Sequence, residues 1–330
     1  MSLYLDRDGV QLHQGDCLEV LRILPEESVH CCCTSPPYYG LRDYGVTGQI
    51  GLEETPAAFI AKMVEVFEEV RRVLRKDGTC WVNLGDSYAS GGGTSPNAPS
   101  SETSLSGRRH REAGGSRCDK TQAKMLANPP GYKHKNLMLM PHRVAIALQD
   151  AGWYVRSDIV WHKPNPMPES VTDRPTKSHE YIFLLSKSEK YWYDADAVRE
   201  PLKAESILRH QSGWNGNEQR GFPNGPQNHM SKYLGSEVAK AATHRNMRSV
   251  WTMPTQSYPD AHFATFPESL PKRCILAGCP EWGTVLDPFA GSGTTLDVAR
   301  HLCRKAIGIE LSEEYCKLIG KRLNQGALEL

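Results

Sequence analysis

Two short stretches, far apart in the chain, hold the residue types that could do chemistry. The first is Thr34-Ser35-Pro36-Pro37-Tyr38. It follows Val29–Thr34, a small, apolar, β-compatible run, and two consecutive prolines can join neither a ladder nor a helix. Such a bend projects main-chain carbonyls off the end of a strand. Ser35 Oγ and the Pro36 carbonyl could then accept both hydrogens of one planar amino group, with the Tyr38 ring as a stacking face. An amine conjugated to an aromatic ring is a poor nucleophile because its lone pair is delocalised. Two acceptors that favour a pyramidal nitrogen localise that pair towards an electrophile, a transition-state effect. Taken alone, a Ser-Pro-Pro turn that simply ends a strand accounts for the same residues.

The second stretch is Val285-Leu286-Asp287-Pro288-Phe289-Ala290-Gly291-Ser292-Gly293-Thr294-Thr295, which reads as a strand, a Gly-rich turn and a helix start. Glycines let backbone approach a ligand closely, and an acid at a strand end can take polar hydrogens. A dinucleotide fingerprint would put glycine at 296, where Leu296 stands, and no lysine follows Gly293 as a phosphate-cradling loop requires. Glu310 comes after Ile307-Gly308-Ile309, seventeen residues beyond Gly293. An acid ending the second strand of such a unit can accept both ribose hydroxyls. The pattern therefore points to a nucleoside-bearing cofactor without a recognised pyrophosphate. An ordinary Gly-rich turn before a capped helix is the plainer alternative.

These residues need elements to hold them. Val10–Gln14 reads as a strand ending at Gly15-Asp16, and Leu18, Val20, Leu21 and Leu24 as a helix that Pro25 stops. Residues 55–75 carry the clearest helical spacing, in Phe59, Met63, Val66, Phe67, Val70 and Leu74, and Thr79–Leu84 is a further strand. This β-α-β-α-β alternation is the signature of a parallel sheet. A helix over Pro141–Ala151 leads to a strand over Trp153–Trp161, with Tyr181–Leu185 as its antiparallel neighbour. Helices are then expected over Pro267–Leu276, Thr294–Leu302 and Ser312–Leu323, and strands at Thr284–Leu286 and Ala306–Ile309.

Two stretches break this order. Residues 88–135 contain Gly91-Gly92-Gly93, and 90–136 carry eight Lys/Arg against three Asp/Glu; this segment reads as a mobile basic loop. Residues 199–248 carry eight against four. The formal charge of +1 over 330 residues thus conceals two basic insertions. With 39% hydrophobic residues a packed core is expected, and no apolar run is long enough for a membrane span. The first residues lack the apolar core of a secretory signal. Three of the ten cysteines, Cys31-Cys32-Cys33, are consecutive, which suits a buried strand and not a disulfide framework. A cytoplasmic protein with reduced thiols is expected. Cys274, Cys279, Cys303 and Cys316 lack the paired short spacing of a zinc site, so no metal is expected.

Together, the two stretches resemble the S-adenosylmethionine-dependent DNA amino-methyltransferases, in which a Ser/Asn/Asp-Pro-Pro-aromatic tetrapeptide accompanies an Asp-Pro-Phe-x-Gly-x-Gly loop. The tetrapeptide precedes the loop here, an order similar to the family's permuted β class. The resemblance implies a Rossmann-like α/β fold: a mostly parallel twisted sheet, helices on both faces, and a target-recognition insertion. The catalytic and cofactor-binding domain would comprise 1–87, 136–193 and 251–330, with target recognition in 194–250. The resemblance makes Ser35, Pro36, Pro37 and Tyr38 catalytic. It sets Asp287, Phe289, Gly291 and Gly293 around the methionine part of S-adenosylmethionine, Glu310 on its ribose and Asp16 near its adenine. Phe266, in Phe266-Pro267, matches the remaining cofactor motif. Trp161-His162-Lys163-Pro164-Asn165-Pro166-Met167-Pro168 resembles the loop walling the target-base pocket, which nominates Trp161 and Lys163. Plain strand-end packing for Trp161 and a solvated charge for Lys163 stand beside that reading.

What the resemblance implies is methyl transfer to the exocyclic amine of a base flipped out of double-stranded DNA. The amine is cytosine N4 or adenine N6, and Ser35 inclines the choice to cytosine. The basic insertions suit phosphate contacts. A homodimer and a cognate restriction endonuclease are plausible partners. Carbon-5 cytosine methylation is excluded, since it needs a cysteine nucleophile within Pro-Cys and the sequence has no such dipeptide. An RNA or protein amine as substrate, and a catalytically silent DNA-binding module, remain as competing readings.

Overall fold

The computed structural model describes residues 2–41, 45–46, 48–89, 131–211, 243–256 and 266–325. The basic insertions of the sequence lie largely outside them, at 90–130 and 212–242. Two units are distinguished, Met1–Tyr193 with Ser249–Leu330, and Asp194–Arg248.

In the first unit, β1 (Ser2–Arg7) and β2 (Val10–Gln14) form an antiparallel pair. Helix α1 (Cys17–Ile23) starts at Asp16, whose carboxylate accepts the Leu18 and Glu19 amide protons at 2.9 and 3.1 Å. Strand β3 (Val29–Thr34) follows, then α2 (Pro56–Val73), capped by Thr55 with proline in its first turn. One face of α2, with Phe59, Met63, Val66, Phe67, Val70 and Val73, is buried. At about 1.5–3 kcal/mol for each large apolar side chain, that face anchors the helix. The chain then runs through β4 (Leu74–Leu84), α3 (Met140–Asp150), β5 (Tyr154–His162) and β6 (His179–Ser186). Where the chain leaves and re-enters around the first insertion, Ala89 and Asn136 are joined through the backbone: the Ala89 N–H donates to the Asn136 carbonyl at 2.8 Å.

The second unit holds β7 (Glu200–Pro201), α4 (Ala204–Gln211) and β8 (His244–Arg245). β7 and β8 pair antiparallel, and the Glu200 carboxylate binds Arg245 and Arg248 at 3.1 and 2.9 Å. Back in the first unit, β9 (Val250–Thr252) pairs with β5, so Val250, placed in the insertion by sequence, belongs to the sheet. Then come α5 (Ser269–Gly278), β10 (Thr284–Asp287), α6 (Thr294–His301), β11 (Lys305–Glu310) and α7 (Glu313–Gln325).

The main sheet has the order β1-β2-β11-β10-β3-β4-β6-β5-β9. Its centre, β2-β11-β10-β3-β4, is parallel throughout, and β6 is antiparallel to both β4 and β5. From β3 the chain winds through α2 to β4; from β10 it winds the other way, through α6 to β11. The β3/β10 boundary is therefore a topological switch point, where diverging crossovers leave a crevice beyond the strand ends. The sequence-based expectations missed the edge strands β1 and β9, because exposed or very short strands carry little alternation.

The cysteine triplet alternates across β3. Cys32 joins the core built by α1, α2 and α3, whereas Cys31 and Cys33 lie against the thiols of Cys279 and Cys274 at α5. All three are free and buried. Burial pushes the Cys31 and Cys32 thiols up, and a hydrogen bond with Cys274, reinforced by burial, does the same for Cys33, so none serves as a thiolate nucleophile. Gly278 closes α5 directly against β4: a Cβ there would stand 2.3 Å from Thr79 Oγ1 and 2.4 Å from Trp81 Nε1. Both neighbours are buried, and Thr79 Oγ1 donates to the Gly278 carbonyl at 2.9 Å. Gly278→Ala is thus expected to destabilise the fold by about 1–3 kcal/mol, the usual range for overpacking. A thermal melt should show it as a drop of several degrees.

Candidate active site

The carboxyl ends of β3 and β10 bring the two chemical stretches together. Thr34 Oγ1 donates to Asp287 Oδ1 at 2.7 Å, and both residues are buried. Parallel register pairs Cys31 with Val285 and Cys32 with Leu286, so both strands end at one level. Thr295 Oγ1, in the first turn of α6, donates to the Cys33 carbonyl at 3.4 Å and closes the seam from the other side.

The Gly-rich turn wraps its own acids. Asp287 Oδ1 also accepts the Phe289 amide proton at 3.1 Å. Glu310 Oε2 accepts the Gly291 N–H and Oε1 the Ser312 N–H, both at 2.8 Å. Gly293 stands at φ +78°, in the left-handed region, and a Cβ there would crowd Ile319 at 3.0 Å. Gly291, at φ +52°, is also in the left-handed region, and a Cβ there would meet the Phe289 carbonyl oxygen at 3.9 Å, an ordinary contact. Burial pushes the Asp287 carboxyl up to about 6, against the hydroxyls of Thr34 and Thr295 and the Phe289 N–H. Burial likewise pushes Glu310 up to about 7, against the Ser312 and Gly291 amides and with the charge of Asp287 adding to the rise. Two desolvated carboxylates at a crevice mouth favour a ligand that carries positive charge and hydroxyl donors.

Asp16 borders the same region. The Gly15 N–H donates to the Glu310 carbonyl at 3.0 Å, which fixes Asp16 beside the end of β11. Glu268, two residues beyond Phe266, is tied to the start of α6 through Arg322, which contacts Glu268 at 2.7 Å, Thr294 at 3.2 Å and Asp297 at 3.1 Å. The described donor set fits a nucleoside cofactor bearing a sulfonium: two carboxylates, a Gly-rich turn and an acid near the β2 end, with no lysine for a phosphate.

The tetrapeptide is held by residues the sequence reading did not single out. Asn83 Nδ2 donates to Tyr38 Oη at 2.8 Å, to Glu180 Oε2 at 3.0 Å and to Ser35 Oγ at 3.3 Å. Tyr38 Oη donates to Glu180 Oε2 at 2.8 Å, and Lys163 Nζ closes on Glu180 Oε1. Pro36 is buried, while Ser35, Pro37 and Tyr38 are half-buried. A Cβ at Gly85 would stand 2.5 Å from the Tyr38 ring, so the ring lies directly against that backbone. The available signal was one amide within Trp81-Val82-Asn83-Leu84 and one carboxylate heading Tyr181-Ile182-Phe183-Leu184-Leu185. Each is a lone polar group in an apolar strand.

Trp161, nominated for the base pocket, lies beneath Lys163. It is only 2% exposed, its Nε1–H donates to the Met253 carbonyl at 2.9 Å, and Lys163 Nζ covers its ring at 4.3 Å. A ring so covered packs and holds Lys163, and Lys163 is the member of the pair that reaches the network around Tyr38.

Such a fold and site define a class: a doubly wound α/β domain in which an acid-bearing Gly-rich loop and a Ser-Pro-Pro-aromatic tetrapeptide meet at the carboxyl ends of neighbouring strands. Comparison with known proteins narrows it. The DNA methylase family of N6 and N4 enzymes matches residues 29–321. The chain is 44% identical over 319 residues to the type II methyltransferase M.Cfr9I of Citrobacter freundii, covering 97% of this chain and 89% of that one. It is 42% identical over 309 residues to M.SmaI of Serratia marcescens, covering 94% and 89%. Among solved structures, PvuII DNA methyltransferase (cytosine-N4-specific) superposes with a TM-score of 0.59 at 20% identity, covering 95% of this chain and 86% of that one. A putative DNA modification methylase of Thermus thermophilus, complexed with S-adenosyl-L-methionine, gives 0.54 at 22% identity, covering 97% and 96%. The chain belongs to the S-adenosylmethionine-dependent DNA amino-methyltransferases that modify N4 or N6. Its fold is the Rossmann-like fold of those enzymes. Among the described residues no helix is long and apolar enough to cross a membrane.

Proposed function

We propose that this enzyme methylates N4 of cytosine at a specific site in duplex DNA, as the modification partner of a restriction endonuclease. The supporting observation is the 2.7 Å bond between Thr34 and Asp287, which brings the residue before Ser35 against the acid of the cofactor loop. S-Adenosylmethionine, when bound, supplies an electrophilic sulfonium methyl group. Glu310 accepts the ribose hydroxyls, Asp16 the adenine amino group, and Asp287, Phe289, Gly291 and Gly293 surround the methionine part, with Phe266 at the crevice edge. Ser35 Oγ and the Pro36 carbonyl accept the hydrogens of the target amine, and Pro37 keeps the bend rigid. Localising the amine lone pair acts in the transition state and raises turnover more than affinity. A paired base cannot reach this crevice, so the target is extruded and stacks on Tyr38, at a cost of a few kcal/mol in lost stacking.

Ser at the first tetrapeptide position favours cytosine over adenine in this family, which is why N4 is chosen over N6. The 194–250 region reads the DNA sequence and the 88–135 loop contacts phosphates; the chain works where the DNA is, in the cytoplasm, as a monomer or homodimer. Nucleoside mass spectrometry of DNA from cells expressing the chain tests the reading. N4-methylcytosine is the expected product. N6-methyladenine would overturn the choice of base, and neither product in wild-type DNA would overturn the function.

A further inference from the structure

The network around Tyr38 has a direction. Glu180, on β6, pairs with the Lys163 ammonium and accepts from Tyr38 and Asn83. Burial opposes its ionisation, but Lys163 and those donors outweigh burial and hold the carboxyl below the ordinary range. An ionised carboxylate only accepts hydrogen bonds, so the Tyr38 hydroxyl must donate to it. The Asn83 amide cannot be turned, because its oxygen would then face the carboxylate. Its NH2 group therefore faces three acceptors, Ser35 Oγ, Tyr38 Oη and Glu180 Oε2, with one of its two hydrogens shared. The amide keeps this orientation although its Oδ1 is buried without a hydrogen-bond partner among the described residues. With the Tyr38 proton committed to Glu180, Tyr38 Oη is left to accept from Ser35, and the Ser35 O–H points along the chain at 3.4 Å. That link is long, as catalytic hydrogen bonds often are before a substrate is bound.

We propose that Ser35, Tyr38 and Glu180 form a proton relay that carries the spent proton away from the methylated amine. The inference rests on the amino-methyltransferase reading above and deepens it. As the target amine attacks the methyl carbon, an N–C bond forms and the C–S bond breaks, its electron pair leaving on sulfur. The nitrogen then carries a positive charge and becomes strongly acidic. Its proton passes to Ser35 Oγ, the Ser35 proton to Tyr38 Oη, and the Tyr38 proton to Glu180 Oε2. Glu180 becomes a neutral acid and later releases the proton to water, which reaches its 16% exposed side chain. Charge balances within the crevice: the sulfonium charge disappears as the carboxylate charge does, and Lys163 stays cationic throughout. The relay gives the Tyr38 hydroxyl a task separate from the stacking face of its ring, and gives Glu180 a task although it does not contact the amine.

The test uses wild-type enzyme, Tyr38→Phe, Glu180→Gln, Glu180→Ala and the Tyr38→Phe/Glu180→Gln double variant, on a DNA that nucleoside mass spectrometry has shown the wild type to methylate. Single-turnover methyl transfer is expected to fall about a hundredfold in Tyr38→Phe and in Glu180→Gln, the lower range for general acid–base groups. DNA affinity should stay within about threefold, because the ring that stacks is kept. The double variant should be no slower than the slower single, since one relay is broken twice. Added formate should restore part of the rate in Glu180→Ala and none in Tyr38→Phe, a response that a purely structural carboxylate would not give. Wild-type single-turnover rates in Tyr38→Phe overturn the relay, even if the Glu180 variants fail to fold. Losses that multiply in the double variant overturn it too. A wild-type enzyme that methylates no DNA overturns the function reading instead, so the two failures are distinguishable.

Discussion

Replacing Ser35 with alanine is expected to lower methyl-transfer turnover by about 10²–10³-fold while leaving S-adenosylmethionine affinity unchanged, in line with the loss of one preorganised hydrogen-bonding group at a reacting centre. The hydroxyl is half-buried and accepts from Asn83 at 3.3 Å. Without it, Asn83 Nδ2 still has Tyr38 and Glu180 as acceptors, so the surrounding strands lose little. Asp287 and Glu310 bond to Thr34, Phe289, Gly291 and Ser312, and none of those contacts passes through Ser35. Loss of turnover should therefore separate cleanly from loss of binding. Labelled methyl transfer to DNA and calorimetric titration of the cofactor check the two halves; wild-type turnover in the variant would remove Ser35 from the chemistry.

A second large effect is expected at Glu310. Glu310→Gln keeps the shape but replaces one acceptor oxygen with an NH2 group. Both oxygens of Glu310 take a backbone N–H, from Gly291 and Ser312 at 2.8 Å, so one donor would then meet another. With Glu310 on the ribose, as proposed, the hydroxyls would also lose a charged acceptor, each such bond contributing about 1.5–3 kcal/mol. Cofactor affinity should fall by about a hundredfold or more, read by titration. The pH dependence follows the same group. In the ligand-free protein Glu310 is raised to about 7 and Asp287 to about 6. A carboxyl raised on folding favours the folded state while protonated, so its contribution is fullest at acid pH and is lost as pH rises from the ordinary carboxylate range through about 7. Cofactor binding needs the ionised form and runs the other way. Affinity should be level above about pH 8 and fall about tenfold for each pH unit below 7, steepening below 6 as Asp287 protonates. In Glu310→Gln the limb near 7 should vanish.

The sequence by itself determined what is local. The helix over 56–73 was legible because its apolar spacing matches one turn of helix, and β3 because three small thiols in a row can only be buried together in a strand. Pro36-Pro37 and the glycines at 291 and 293 declared a bend and a tight turn through backbone chemistry that needs no partner. From these residues alone, a tetrapeptide able to accept an amine and a loop able to take a nucleoside could be read, and their order indicated which family arrangement to expect. Tertiary structure decided which of these meet and what stands behind them. Strand order is set by packing between segments far apart in the chain, so nothing near Thr34 announces that Asp287 will lie 2.7 Å away. Asn83 and Glu180 were unreadable for the same reason. A lone amide or carboxylate in an apolar strand has no pattern of its own, and it acquires meaning only when the register of β4 and β6 sets it beside Tyr38. Trp161 shows the converse. Its type suggested a stacking wall, whereas its burial is a property of the neighbours, Met253 and Lys163.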